Sequence, residues 1–373
     1  MQNKKLLILS VILLFAMIFS LFSLYAYGNS NPSLSARSAV LYEPSSKEII
    51  YSKNENQQLP MASTTKIMTA LIAIEALPLD EIIRVPNDAV GIEGSSIYLK
   101  SDDELTVRDL IYAVMLQSAN DAAATLAYAI SGDIASFSAL MNRRAAEMGA
   151  TSTSFENPHG LDSENHYTTA KDLAIIASYA LENDTFRKIC STYKYSFNIS
   201  DQTRTVVNHN KLLKLYDGSI GVKTGYTKRC GRCLVGAAER NGVRLISVTL
   251  DAPDDWNDHS TLLNLGFSLY ESIDPSLIMN NDFNIPVISG TKVSVLAKTD
   301  THGINLVVKK NSSEIKTRVQ LKKYAVAPVE NGEQLGTVEY IIGDKTVATA
   351  PIIANESISY SNKKGRLRNP LFQ

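Results

Sequence analysis

Apolar and polar positions change their period several times along this chain. From Leu6 to about Tyr27 apolar residues dominate, directly after Lys4 and Lys5. From Ser38 to Ser52 they alternate around Glu43-Pro-Ser-Ser-Lys47, which predicts a β-hairpin. Pro60 ends that extended stretch. From Ala62 the spacing becomes helical through Ile67, Met68, Leu71, Ile72 and Ile74 to Leu77. Thr106 and Asp109 have capping-box spacing and predict a second helix, which stops in the polar run Gln117-Ser118-Ala119-Asn120. Helical patterns follow over 121–130, 134–148 and, behind Thr169 and Asp172, through Leu173 to Leu181. Strand patterns return at 194–197, 205–208, 219–223, 233–239 and 244–250, and a helix over 260–270 closes this part. A strand pair, then helices, then antiparallel strands predict an α+β domain over 34–272, with helices on a mostly antiparallel sheet. Beyond Ile273-Asp274-Pro275, short alternating runs at 292–296, 304–309, 317–321, 336–342 and 345–351 predict a small all-β sandwich over 275–356.

The remaining ends are set by charge. The basic start and apolar run over 1–28 read as an export signal, followed by small residues at Ala26 and Gly28. The run exceeds a typical signal core of roughly 7–15 residues. A retained N-terminal anchor, which needs about 20 apolar residues, is the other reading. Both put the rest of the chain outside the cytoplasm, secreted or held on the outer membrane face. Residues 357–373, with Lys363, Lys364, Arg366 and Arg368, read as a basic tail.

Composition narrows the chemistry. A chain of 373 residues suits two domains, and a formal net charge of −1 gives no basic excess for nucleic acid. The three cysteines, Cys190, Cys230 and Cys233, are too few and odd in number for a disulfide framework. Cys230 and Cys233 have redox-motif spacing, but no thioredoxin-like unit surrounds them, so they read as small residues packed beneath a strand. The five histidines form no H-x-x-H, H-x-H or H-E-x-x-H pair, so no metal ligand set and no cofactor is expected.

Three short motifs carry the chemistry. In Ser63-Thr64-Thr65-Lys66, serine and lysine share a helix face. A lysine desolvated there can act as the base that a serine nucleophile needs. The Ser63 amide is also free to bind an oxyanion. Alone this is a weak signal, since such a helix start is routine. Ser118-Ala119-Asn120 lies in the polar break between two helices. It is either a capping loop or a proton relay with an amide that orients the site. Lys223-Thr224-Gly225 ends a strand. It is either a plain turn or a clamp for a terminal carboxylate, with Gly225 leaving room for substrate and the Tyr226 amide completing an oxyanion hole. The order S-x-x-K, S-x-N, K-T-G is the motif set of β-lactamases and penicillin-binding proteins.

The chain resembles the low-molecular-mass penicillin-binding proteins, the serine-type D-alanyl-D-alanine carboxypeptidases. Pro60 to Thr69, Phe155-Glu-Asn-Pro-His-Gly-Leu161, His166 to Asp172, Asn208 to Leu213 and Gly221 to Thr227 carry the resemblance, which spans roughly Ala36 to Ala354. It implies that Ser63 attacks the penultimate D-alanine of a peptidoglycan pentapeptide stem and forms an acyl-enzyme. Lys66 takes the proton and Ser118 passes it to the leaving D-alanine. Asn120 orients the site, and Lys223 and Thr224 hold the terminal carboxylate. Water then deacylates the enzyme. It also implies acylation of Ser63 by penicillin and other β-lactams. Cys230 and Arg232 depart from the family pattern, and a C-terminal amphipathic anchor is not evident, which makes the N-terminal segment the candidate for membrane association.

Two rivals stand beside this reading. A β-lactamase would need a deacylating glutamate. Glu156 is the candidate, but it lacks an E-x-x-L-N setting. A non-catalytic wall-binding protein of the same fold is the other. His159 and His209 are expected to make structural hydrogen bonds near the cleft.

Overall fold

A computed structural model describes residues 32–279, 281–311 and 314–361. The expected leader and the basic cluster at 363–368 lie outside the described residues. Strand β1 (Ser38–Glu43) turns back as β2 (Glu48–Lys53), and the chain returns to the sheet much later as β3 (Ser219–Thr227), β4 (Gly231–Arg240) and β5 (Val243–Leu250). These five form one antiparallel sheet in the order β2-β1-β5-β4-β3. The two hairpins meet because β1 and β5 are covered on both faces, each buried along its whole length or nearly so. Strand β3, which carries Lys223-Thr224-Gly225, is left at the sheet edge.

The middle of the chain is helical. The segment Ala62–Thr65 is a single 3₁₀ turn, and α1 (Lys66–Ala76) continues from it. Then come α2 (Val107–Tyr112), α3 (Asn120–Ser131), α4 (Ile134–Glu147), α5 (Ala170–Glu182), α6 (Asp184–Ser191) and α7 (Asp255–Leu269). The two caps expected from sequence form: Thr106 accepts from the Asp109 amide and Thr169 from the Asp172 amide. Alternate residues of the sheet face opposite ways. Val40, Ile246 and Val248 join the helical core around α1, whereas Leu41 and Leu245 face Gly266 of α7. Helix α7 is held there through His259, whose ring bonds Ser247 and Thr249 of β5 at 2.7 and 2.9 Å.

Some elements differ from the sequence reading. The strands Lys194–Ile199 and Gln202–Val207 form a separate hairpin outside the main sheet. Helix α6 had been missed; its short, strongly charged sequence gives few apolar periods to count, and Asn183 caps it. In the C-terminal module, β6 (Asp282–Ile288), β7 (Ser294–Thr299), β8 (Ile315–Leu321), β9 (Ala325–Val326), β10 (Gln334–Ile342) and β11 (Lys345–Ala354) form a sheet ordered β8-β10-β11-β7-β6-β9. Strand β6 was not expected, since Pro286 interrupts its apolar alternation. Ile358, assigned to the tail from its sequence position, is buried and pairs with Val329.

Candidate active site

The three motifs converge on one cleft of ≈ 360 Å³, lined among others by Ser63, Ser118, Thr224, Gly225 and Tyr226. The 3₁₀ turn holds Ser63 half-buried at the cleft, and α1 begins with Lys66, which is fully buried. Thr64 and Thr65 fix the turn by donating to the carbonyls of Met61 and Ala62, at 2.6 and 2.8 Å.

The Lys66 side-chain nitrogen has three hydrogen-bond neighbours among the described residues: Ser63 Oγ at 3.1 Å, Asn120 Oδ1 at 2.7 Å and the His159 carbonyl at 2.5 Å. Two of them can only accept. A neutral amine has two N–H donors and one lone pair. Spending both donors on the two carbonyl oxygens leaves the lone pair for the Ser63 hydroxyl. The electrostatics favour that state. Burial pushes the Lys66 pKa well below its ordinary value, and the nearby charge of Lys223 pushes the same way, against Asp121.

Asn120 is oriented from behind. Its Nδ2 donates to the Glu93 carbonyl at 2.5 Å, so Oδ1 must face Lys66. Asp121, next in sequence, accepts from Ser96 Oγ, at 2.6 Å, and from the Leu99 amide, at 3.0 Å, tying the 95–99 loop to the start of α3. Asp121 was not singled out from sequence, because an acidic residue in a first helical turn reads as a surface residue.

Ser118 sits in a left-handed conformation, φ 62°, where the turn Ala113–Gln117 ends. Its hydroxyl is buried and has no hydrogen-bond partner among the described residues. A buried donor left unpaired is costly, and this one faces the cleft in which substrate would sit.

On the opposite wall, β3 passes so close to the nucleophile that a Cβ on Gly225 would lie 3.0 Å from the Ser63 nitrogen. Lys223 is buried, donates to the Thr224 carbonyl at 2.9 Å, and has its pKa lowered to about 7 by burial. Thr224 and Tyr226 line the cleft itself.

The histidines behave as structural groups. His166 Nδ1 accepts from the Glu156 amide, so its Nε2 carries the proton and donates to Thr65, at 2.8 Å. His159 contributes its carbonyl to Lys66, while burial, then the charge of Lys66, lowers its ring pKa to about 3. His209 lines the cleft and its amide donates to Leu116. Glu156 is exposed and engaged with Ser163 and Asn165, and it does not line the cleft. Cys233 is buried in β4 and Cys230 just before it, with the Cys230 sulfur 3.0 Å from Thr227 Oγ1.

Gly160 carries the loop under the nucleophile. Its φ is +88°, and a Cβ there would fall 1.9 Å from the Ala62 carbonyl oxygen. Gly160→Ala must therefore move the turn that bears Ser63. A shift of about 1 Å at a reacting group costs on the order of 100-fold in rate. The expected result is a β-lactam acylation rate at least that much slower, read by stopped-flow labelling; a rate within threefold of wild type would refute the contact.

The family model described as D-alanyl-D-alanine carboxypeptidase matches residues 26–254. The chain belongs to the D-alanyl-D-alanine carboxypeptidase family. A second model, the C-terminal domain of penicillin-binding protein 5, matches residues 278–360. The chain is 34% identical to the D-alanyl-D-alanine carboxypeptidase DacF of Bacillus subtilis over 87% of its length and 86% of that protein's. It is 31% identical to the D-alanyl-D-alanine carboxypeptidase DacC of Escherichia coli over 90% of its length and 87% of that protein's. Among solved structures, penicillin binding protein 5 from Haemophilus influenzae superposes with a TM-score of 0.65 at 28% identity, covering 89% of this chain and 100% of that one. A carboxypeptidase of this family thus has the penicillin-binding fold expected from its sequence, followed by a C-terminal module of sheets.

Proposed function

We propose that this carboxypeptidase removes the terminal D-alanine from peptidoglycan pentapeptide stems through an acyl-enzyme on Ser63. The reading is carried by the Lys66 nitrogen, set 3.1 Å from Ser63 Oγ with its two N–H donors engaged by carbonyl oxygens. Lys66 takes the Ser63 proton as the hydroxyl attacks the penultimate D-alanine carbonyl. The amides of Ser63 and Tyr226, on the two walls of the cleft, bind the developing oxyanion. The open edge of β3 receives the substrate backbone as an added strand. Ser118 passes the proton to the leaving amine, and Thr224, with the Lys223 charge behind it, receives the terminal carboxylate. Asn120 holds Lys66. β-Lactams, with an amide and a carboxylate similarly placed, acylate Ser63.

The substrate places the enzyme outside the cytoplasm. Cleavage of the leader would release it, and retention would anchor it to the outer membrane face. The test uses the full-length protein. D-Alanine is measured from a peptide ending in D-Ala-D-Ala, and fluorescent penicillin bound to the protein is followed after washout. Release of D-alanine with label that persists for minutes is expected. Label lost within seconds would indicate a β-lactamase, and no release of D-alanine would refute the carboxypeptidase reading. The mass of the same penicillin adduct reports whether the leader has been cleaved.

A further inference from the structure

The two motif lysines are both buried, and neither lines the cleft. Two other cations line it, the exposed Lys211 and Arg232, and of these Arg232 is the one the structure holds in place. Arg232 of β4 lines the same cleft, with its side chain 42% exposed. It lies directly opposite Tyr226 across the β3–β4 ladder, on the sheet face that also bears Thr224. Diagonal neighbours on such a ladder are about 7–8 Å apart, a span that a long side chain covers.

The guanidinium is held in place from two directions. Its Nη2 donates to Asp255 Oδ1 at 2.9 Å, and Asp255 is itself 3% exposed and fixed by the Trp256 amide at 2.9 Å. The Trp256 ring lies under the guanidinium at 5.5 Å. Arg232 Nε is buried and has no hydrogen-bond partner among the described residues. A guanidinium fixed in the lining of a cleft that also holds the unpartnered Ser118 Oγ fits a planar anion.

We propose that Arg232, anchored by Asp255 and Trp256, is the cation that directly receives the substrate's terminal carboxylate, paired with the Thr224 hydroxyl. Lys223 then acts from behind the strand, fixing the Thr224 carbonyl and supplying charge without touching the ligand. The assignment rests on the carboxypeptidase reading and names a specificity-determining residue within it: Arg232 makes the enzyme prefer a free C-terminus over a blocked one.

The test compares a peptide ending in D-Ala-D-Ala with its C-terminal amide, using wild type, Arg232→Gln and Arg232→Lys, each checked for folding by circular dichroism. A charge-assisted pair lost from the complex should lower kcat/KM on the acid by about 10–100-fold in Arg232→Gln. The same substitution should leave the amide within about twofold, since that substrate never made the contact. Arg232→Lys should recover part of the loss on the acid alone, and it carries the same comparison if the glutamine variant does not fold. Equal losses on acid and amide, or no loss on the acid, would overturn the assignment while wild type still released D-alanine. No release by wild type would sink the carboxypeptidase reading and this one together.

Discussion

The Ser63→Ala protein is expected to fold as wild type, release no measurable D-alanine and gain no mass on penicillin treatment. The loss should exceed about 10⁴-fold, the scale seen when an acylating serine is removed from a cooperating set. Its neighbours offer no substitute. Thr64 and Thr65 are buried, with their hydroxyls committed to Met61 and Ala62. Ser118 has an unpaired hydroxyl, but Lys66 contacts Ser63 and Asn120 rather than Ser118 among the described residues. Folding should survive because Ser63 Oγ makes one contact with Lys66 and anchors no backbone group. Intact-protein mass spectrometry decides the matter: a full penicillin adduct on Ser63→Ala would place the nucleophile elsewhere.

Lys66→Met is expected to cost about 10²–10⁴-fold in acylation, the usual worth of a general base. The variant keeps an unbranched side chain of similar volume, with sulfur in place of Cδ, and removes the basic nitrogen. Lysine accepts a proton only when neutral, so the wild-type acylation rate should rise with pH through the lowered Lys66 pKa and then level off below the ordinary lysine range. The methionine variant should lose that rise.

Stability gives an independent readout. The folded pKa of Lys66 lies below the unfolded value of about 10.4, so between the two the unfolded chain binds more protons. Wild-type stability contributed by this group therefore rises with pH across that window. Lys223, lowered to about 7, adds a second rise of the same sign between about 7 and 10.4. Lys66→Met should retain only the second. Denaturant midpoints from pH 6 to 10 would show a shallower slope, and an unchanged slope would mean that Lys66 is charged in the folded protein.

Much of the site could be read in advance because its chemistry is local. Ser63 and Lys66 stand one turn apart, and an apolar helix face behind them already implied burial. Ser118 and Asn120 fell in a polar break between apolar helices, and Lys223, Thr224 and Gly225 at a strand end. The two predicted caps at Thr106 and Thr169 formed because their partners are three residues away. The hidden parts depend on residues far apart in the chain. Asp121 and His166 matter through the loops they fasten, and a lone acidic or imidazole group has no period to reveal that role.

The sequence alone therefore determined most of the helices and strands and the candidate chemical groups, since periodicity and motif spacing are properties of neighbouring residues. Only the tertiary structure decided how those groups are charged and which of them substrate can reach. Lys66 and Lys223 are both lysines in recognisable motifs, yet burial turns one into a base and removes the other from the cleft wall. Sheet order left β3 at an edge, and register set Arg232 opposite Tyr226. Burial and register arise from contacts between β1 and β5, and between the 3₁₀ turn and β3, that join chain segments more than 150 residues apart. No window along the sequence contains them.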